Sequence, residues 1–296
     1  MSDPATILTD LRPQKEFFVG IDSDGCVFDT MEIKQKECFC PNFVYHFGLQ
    51  AVSKYAREAW EFVNLYSKDR GCNRFIAVTK ALDLLRGRPE VKARGVAIPE
   101  LAPLRDWMKR ETKLGNPALK EELSRNPAPE LKTVYQYSID ANATVERIVR
   151  GVPPFPLVRE SLERLSRETD VMVVSQTPTE ALEREWKEHG IDRWVRIIAG
   201  QELGTKSEHL KYAAAGKYPS DRILMIGDAP GDLKAARDNG VLFFPVNPGH
   251  EERSWELFFR EGLDRFLSGR YAGDYEERLI REFTSYLPER PSWESA

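Results

Sequence analysis

Four short stretches of the sequence carry groups that could do chemistry together. FFVGIDSDGCVFDT holds Asp22 and Asp24, VVSQT holds Ser175, Gln176 and Thr177, GQELGTKS reaches Lys206, and ILMIGDAPGD holds Asp228 and Asp232. Three apolar runs, FFVGI, VMVV and ILMI, each give way at the carboxyl end to small polar or acidic residues. Ionised carboxylates brought together repel one another unless a cation sits among them. Mg2+ suits such a set, because it takes oxygen ligands and is commonly held by a few carboxylates, waters and a substrate phosphate. Lys206 would add a fixed positive charge. A lone Asp-Gly pair after a strand is usually no more than a turn; its recurrence at successive strand ends is what favours a shared site.

The elements that must position these groups show two rhythms. Runs at 17–21, 171–174, 194–198, 223–226 and 241–246 are short and nearly continuously apolar, and helical patterns alternate with the later ones. That combination predicts a parallel sheet covered on both faces. Ligands of such sheets bind beyond the carboxyl ends of the strands, so Asp22, Ser175 and Asp228 can converge. Between the first run and the rest, Leu49, Val52, Ala56, Ala59, Val63 and Tyr66 recur at three and four, the face of one long helix. Phe75, Val78, Leu82 and Leu85 mark a second helix, ended by Gly87 and Pro89. Further helices are expected from Pro99 through Trp107 and from about Leu131 to Val149. The predicted fold class is α/β: a Rossmann-like three-layer α/β/α core, formed by residues 1–32 and 151–296, with an all-helical cap domain over 33–150 inserted after the first strand. GVPPFP, 151–156, reads as the return hinge, and the charged, helical C-terminal segment is expected on the edge of the sheet domain.

Composition is that of an ordinary globular chain. Of 296 residues, 41% are apolar and 30% charged, and the net charge of -4 gives no general attraction to nucleic acid or an anionic membrane. The polar start lacks a secretory pattern, and no apolar run approaches the ~20 residues that span a bilayer. Cys26, Cys38, Cys40 and Cys72 have no zinc-like spacing and read as free thiols of a reducing, cytoplasmic setting.

DSDGCV at 22–27, Ser175, Lys206 and GDAPGD at 227–232 resemble, in order and spacing, the four signature motifs of the haloacid dehalogenase-like superfamily. The insertion between the first two motifs resembles the family's helical cap. The resemblance implies a Mg2+-dependent phosphatase acting on a small phosphorylated metabolite. By it, Asp22 is the nucleophile that becomes an aspartyl-phosphate, and Asp24 is the acid that protonates the leaving oxygen and then deprotonates water. Ser175, Gln176, Thr177 and Lys206 face the phosphoryl group. Asp22, the backbone carbonyl of Asp24, and Asp228 hold Mg2+, while Asp232 supports the metal or pairs with Lys206. Ser23 stands where relatives are often apolar, with its side chain expected to point away from the phosphate, and Ser207 follows Lys206 where many relatives have Pro. A phosphomutase of the same superfamily and a non-catalytic phospholigand-binding protein are the alternatives. A dehalogenase is disfavoured, since Asp24 and the metal acids would have no role in it.

The loop SKDRGCNR, 67–74, packs charge between two helices. Arg70, Asn73 and Arg74 are its candidates for contacting the substrate's leaving group; a solvated charged loop is the plainer alternative. GQELGTKS nearly matches a P-loop, but Thr205 replaces a required glycine. The four histidines are scattered and none reads as an acid, base or ligand. Small phosphomonoesters, rather than protein or nucleic acid, are the expected partners, with oligomeric state left open.

Overall fold

In the computed structural model, which describes residues 6–294, five strands form one all-parallel sheet. They are β1 (Phe17–Ile21), β2 (Thr169–Val174), β3 (Ile197–Ala199), β4 (Ile223–Gly227) and β5 (Leu242–Pro245). Their order is β3-β2-β1-β4-β5. Successive strand side chains point to opposite faces, and here both faces are buried. Val19, Ile21, Val173 and Ile226 pack on one side with Leu162, Trp186 and Trp255. Phe18, Met172, Val174 and Met225 pack on the other with Leu210, Ala236 and Phe283. Two buried faces explain why the strands read as apolar runs without alternation. This is the Rossmann-like α/β/α architecture the sequence predicts.

The strand order sets where chemistry can sit. From β1 the chain builds outward through β2 and β3, then returns to the other side of β1 for β4 and β5. Loops leaving β1 and β4 therefore diverge, which is where open α/β sheets bind ligands. The register carries both strand ends to one level: Ile21 lies opposite Val173 on one side and Ile226 on the other.

Two details differ from the sequence pattern. The strand expected at 194–198 is confined to Ile197–Ala199, because Asp192–Trp194 forms a 3-10 turn. The long helix expected through Leu49 and Tyr66 starts only at Ser53 and runs to Leu65. Gly48 ends the preceding helix, Cys40–His46, at a left-handed φ of 66° that glycine adopts without strain.

The exposed edge of the sheet at β5 is sealed by the C-terminal region. Phe243 N–H donates to Glu276 Oε1 at 2.8 Å, and Phe243 O accepts from Tyr271 Oη at 2.8 Å. An open edge strand is a template for aggregation, and these bonds close it.

The chain divides into two compact units, Met1–Thr30 with Gly151–Leu287, and Met31–Arg150 with Pro288–Ala296. The second is helical, with no strand among the described residues, and is built around Phe43, Trp60, Trp107 and Tyr137. The tail from Pro288 groups with this helical unit, where the sequence pattern put it with the sheet. Its one large side chain, Trp293, explains the difference: it meets Phe62 edge-on at 5.7 Å and takes the Arg88 guanidinium at 4.5 Å from its ring. All four cysteines are free thiols. Among the described residues no helix is long and apolar enough to cross a membrane.

Candidate active site

The site begins where β1 ends. Asp22 N–H donates to Ile226 O at 3.0 Å, extending the ladder by one residue. The chain then turns tightly: Val27 N and Phe28 N both donate to Ser23 O, at 2.9 and 3.1 Å, and Gly25 N donates to Phe28 O at 2.8 Å. Gly25 has φ 76°, which a side chain there would strain. Ser23 is fully buried, and its hydroxyl accepts from Trp186 Nε1 at 3.0 Å. Its side chain is thus anchored in the core beside Trp186.

Asp22 and Asp24 have different surroundings. Asp22 Oδ1 accepts from Ser23 N at 2.8 Å and Oδ2 from Lys206 Nζ at 2.7 Å. Asp24 instead accepts from two hydroxyls, Thr30 Oγ1 at 2.5 Å and Thr177 Oγ1 at 2.7 Å.

The end of β4 contributes Asp228 and Asp232, at the start of the helix Pro230–Asp238. Asp232 Oδ2 accepts from Ala229 N at 3.0 Å, and Oδ1 accepts from Lys206 Nζ at 2.5 Å. Gly227 permits this closeness, since a Cβ there would lie 2.4 Å from that of Asp232. Lys206 opens the helix Lys206–Ala213, which Thr205 caps by accepting from Glu208 N while Glu208 Oε2 accepts from Thr205 N. The near-P-loop stretch is thus a capped helix start aimed at two carboxylates.

Asp22, Asp228 and Asp232 are buried, and one oxygen of each lies within 4.8 Å of the others. Burial raises the pKa of Asp22 well above the ordinary value; Lys206 pulls it down, and Asp232 and Asp228 push it up again. Burial also works against the charge on Lys206, but Asp22 and Asp232 overcome it and hold the ammonium well above the usual lysine value. Hard oxygen donors of this kind fit Mg2+ better than a soft metal. The cluster is thus compatible with a divalent cation in spacing and in the chemistry of its donors.

Ser175 is buried at the end of β2, with its hydroxyl accepting from Thr177 N at 3.2 Å. Gln176 turns its amide to Gly204 O at 2.9 Å. Asp22, Asp24, Ser175, Thr177, Lys206, Asp228 and Asp232 therefore stand at the carboxyl ends of neighbouring strands and in the loops leaving them. Arg70, Asn73 and Arg74 belong to the helical unit. Asn73 caps the helix Arg74–Gly87 by accepting from Phe75 N and donates to Leu114 O. Arg74 donates to Ser138 Oγ and Asn142 Oδ1 and lies over Phe39. Arg70, deeply buried, donates from Nη1 to Leu65 O at 2.9 Å.

Thr30 is the residue the sequence reading passed over. Its only signal was a hydroxyl six positions beyond Asp24, at the close of the same loop.

A family model described as haloacid dehalogenase-like hydrolase matches residues 112–246, a little under half the chain. The match includes Ser175, Lys206, Asp228 and Asp232 and stops short of Asp22 and Asp24. No curated protein matches the sequence. Among solved structures, a haloacid dehalogenase-like family hydrolase from Xanthomonas campestris is 12% identical, covers 93% of this chain and 98% of its own, and has a TM-score of 0.44. A haloacid dehalogenase-like family hydrolase from Streptococcus pneumoniae is 16% identical, covering 82% and 90%, with a TM-score of 0.41.

Proposed function

We propose that this chain, which belongs to the haloacid dehalogenase-like hydrolase superfamily, is a Mg2+-dependent phosphomonoester hydrolase that works through an aspartyl-phosphate on Asp22. The observation that carries the proposal is that two acids two residues apart are each held in place at the end of the same strand. Asp22 lies against Lys206, and Asp24 is held by Thr30 and Thr177. A nucleophile gains from a cationic group beside it, and an acid–base residue gains from hydroxyls that fix its carboxyl in place.

In the proposed reaction Asp22 attacks phosphorus as its bond to the leaving oxygen breaks, and Asp24 gives that oxygen a proton. Asp24 then takes a proton from water, which attacks the acyl phosphate and restores Asp22 with release of inorganic phosphate. Splitting one displacement into two is the gain from covalent catalysis. Lys206 offsets charge on the phosphoryl oxygens, and Ser175 hydrogen-bonds one of them. When bound by Asp22, Asp228 and the Asp24 carbonyl, with Asp232 behind, Mg2+ would supply further positive charge at the same oxygens.

A small phosphorylated metabolite is the proposed substrate. Arg70 is proposed to add affinity for its leaving group, with Asn73 and Arg74 shaping the same loop. Arg70→Ala should then raise KM for the preferred substrate several-fold more than for an aryl phosphate, as loss of a ground-state contact does; equal effects would leave Arg70 a packing residue. The function itself is tested by a phosphate-release screen over sugar phosphates, nucleotides and small organic phosphates, with Mg2+ and with chelator. Mg2+-dependent release from at least one ester is expected. No release from any by the folded protein would overturn the proposal, and phosphate returned to the substrate would make the enzyme a mutase.

A further inference from the structure

Lys206 must hold two carboxylates at once, yet it is delivered by a loop poorly suited to holding anything. β3 contributes only three residues, and residues 200–205 then include Gly200 and Gly204, the latter at φ 120°. Glycine adds backbone freedom that folding must overcome. A 3-10 turn over Gln201–Leu203 and the Thr205–Glu208 box order parts of it, and contacts from outside must fix where it sits.

The loop after β2 does so. Ser175 N donates to Ala199 O at 3.0 Å and Gln201 N to Thr177 O at 3.1 Å, continuing the strand pairing past the sheet. Gly200 makes this approach possible, because a Cβ there would lie 2.5 Å from Thr179 Oγ1 and 2.6 Å from Thr177 O. Two side chains then lock the pair. Glu202 Oε2 accepts from Thr179 N at 3.0 Å and from Thr179 Oγ1 at 2.7 Å. Gln176 Nε2 reaches back to Gly204 O at 2.9 Å. The helix Thr179–Glu188 has Pro178 at its N-cap, with no capping side chain of its own, so the Glu202 carboxylate meets its first turn from another loop.

We infer that Glu202, with Gln176 behind it, is a positioning residue that clamps the loop delivering Lys206 onto the loop delivering Ser175 and Thr177. Thr177 carries the clamp further, since its carbonyl is gripped by Gln201 while its hydroxyl holds Asp24. One carboxylate remote from the reacting atoms thereby keeps lysine, serine and acid in register. The kinetic consequence rests on the hydrolase reading above; the clamp itself does not.

Three variants test it: Glu202→Ala, Glu202→Gln, which keeps an acceptor, and Thr179→Val, which removes the hydroxyl donor. Amide hydrogen exchange, read by mass spectrometry over 175–179 and 199–206, reports the clamp whether or not turnover is detectable. Glu202→Ala should speed exchange in both loops together, and should lower kcat on an aryl phosphate about tenfold at nearly unchanged KM, the scale of a small misplacement. Glu202→Gln should recover most of both, and Thr179→Val should lie between. Faster exchange confined to the helix Thr179–Glu188, with kcat unchanged, would reduce Glu202 to a helix cap and overturn the inference. So would unchanged exchange in both loops. A wild type that hydrolyses no phosphate ester would sink the hydrolase reading, while joint loss of protection in Glu202→Ala would still support the clamp.

Discussion

Two buried aspartates sit at opposite ends of the same sheet, at similar exposure: Asp170 is 2% exposed and Asp22 is 4%. Asp170 lies at the start of β2. It accepts from Gln14 N at 2.7 Å, Lys15 N at 3.0 Å, Tyr218 Oη at 2.7 Å and Arg196 Nη1 at 3.0 Å. Burial would raise its pKa, but those donors win and hold it below the ordinary value. Asp22 follows the end of β1, and there burial, Asp232 and Asp228 outweigh Lys206 and hold its pKa well above the ordinary value. Similar exposure thus goes with opposite shifts, because Asp22 lies deeper and among like charges while Asp170 is met by donors. At one end the carboxylate ties segments together. At the other, like charges are kept close, an arrangement that hinders folding and that the proposed cation would relieve.

The contrast can be broken most forcefully at Asp22. Asp22→Asn removes the proposed nucleophile and a metal ligand together, so turnover should fall to background while the melting temperature stays close to wild type. Measurable Mg2+-dependent release from this variant would contradict the assignment. Asp24→Asn should cost ~10²–10⁴-fold in turnover, least for esters with good leaving groups such as aryl phosphates. A loss independent of leaving group would argue against proton transfer by Asp24. Asp170→Asn should do the reverse of Asp22→Asn: a stability loss of about 3 kcal/mol in urea unfolding, because it unbalances a buried, paired charge, with turnover per folded molecule unchanged. Comparable losses in both variants would erase the distinction between the two ends.

Acid unfolding gives a finer test. His209, fully buried on the helix that carries Lys206, has its pKa lowered to about 4 by burial first and by the Lys206 charge second, against the pull of the Gly200 and Gly204 carbonyls. A histidine in the unfolded chain takes its proton at higher pH. Its contribution is therefore complete above about pH 6.5 and declines as the pH falls towards 4, by about 3 kcal/mol at most. Asp170, with its folded pKa lowered, keeps its contribution through that window and loses it only as the pH falls below about 4 towards its folded pKa. Unfolding free energies across this range should lose the upper limb in His209→Gln and the lower limb in Asp170→Asn. Unchanged profiles would refute the assignments.

The acids at the strand ends were legible in the sequence because several apolar runs all end in small polar or acidic residues, where one alone would read as a turn. The orientation of Ser23 follows from strand alternation carried one turn further. Thr30, Glu202 and the Asp170 knot were not legible. Thr30 depends on how the loop after β1 folds back on itself, while Glu202 and the Asp170 knot depend on which loops lie side by side, set by the register of β2 against β1 and β3. The charged loop at 67–74 shows a related limit. Composition cannot say whether an Asn caps a helix, as Asn73 does, or whether an Arg is spent on internal acceptors, as Arg74 is. The tail was misplaced for a similar reason: a lone Trp293 in a polar segment does not name the surface it will find.

The central claim is that Asp22 carries the phosphoryl group and Asp24 manages the protons. Its most direct test is intact-protein mass spectrometry of Asp24→Asn after brief exposure to an aryl phosphate and Mg2+. With the nucleophile present and the acid–base residue gone, attack on a good leaving group should proceed faster than hydrolysis. One added phosphoryl mass should therefore accumulate, map to Asp22, and be absent from the Asp22→Asn/Asp24→Asn double variant. A folded Asp24→Asn protein that turns over the ester without ever carrying that mass, or that carries it on another residue, would contradict the account.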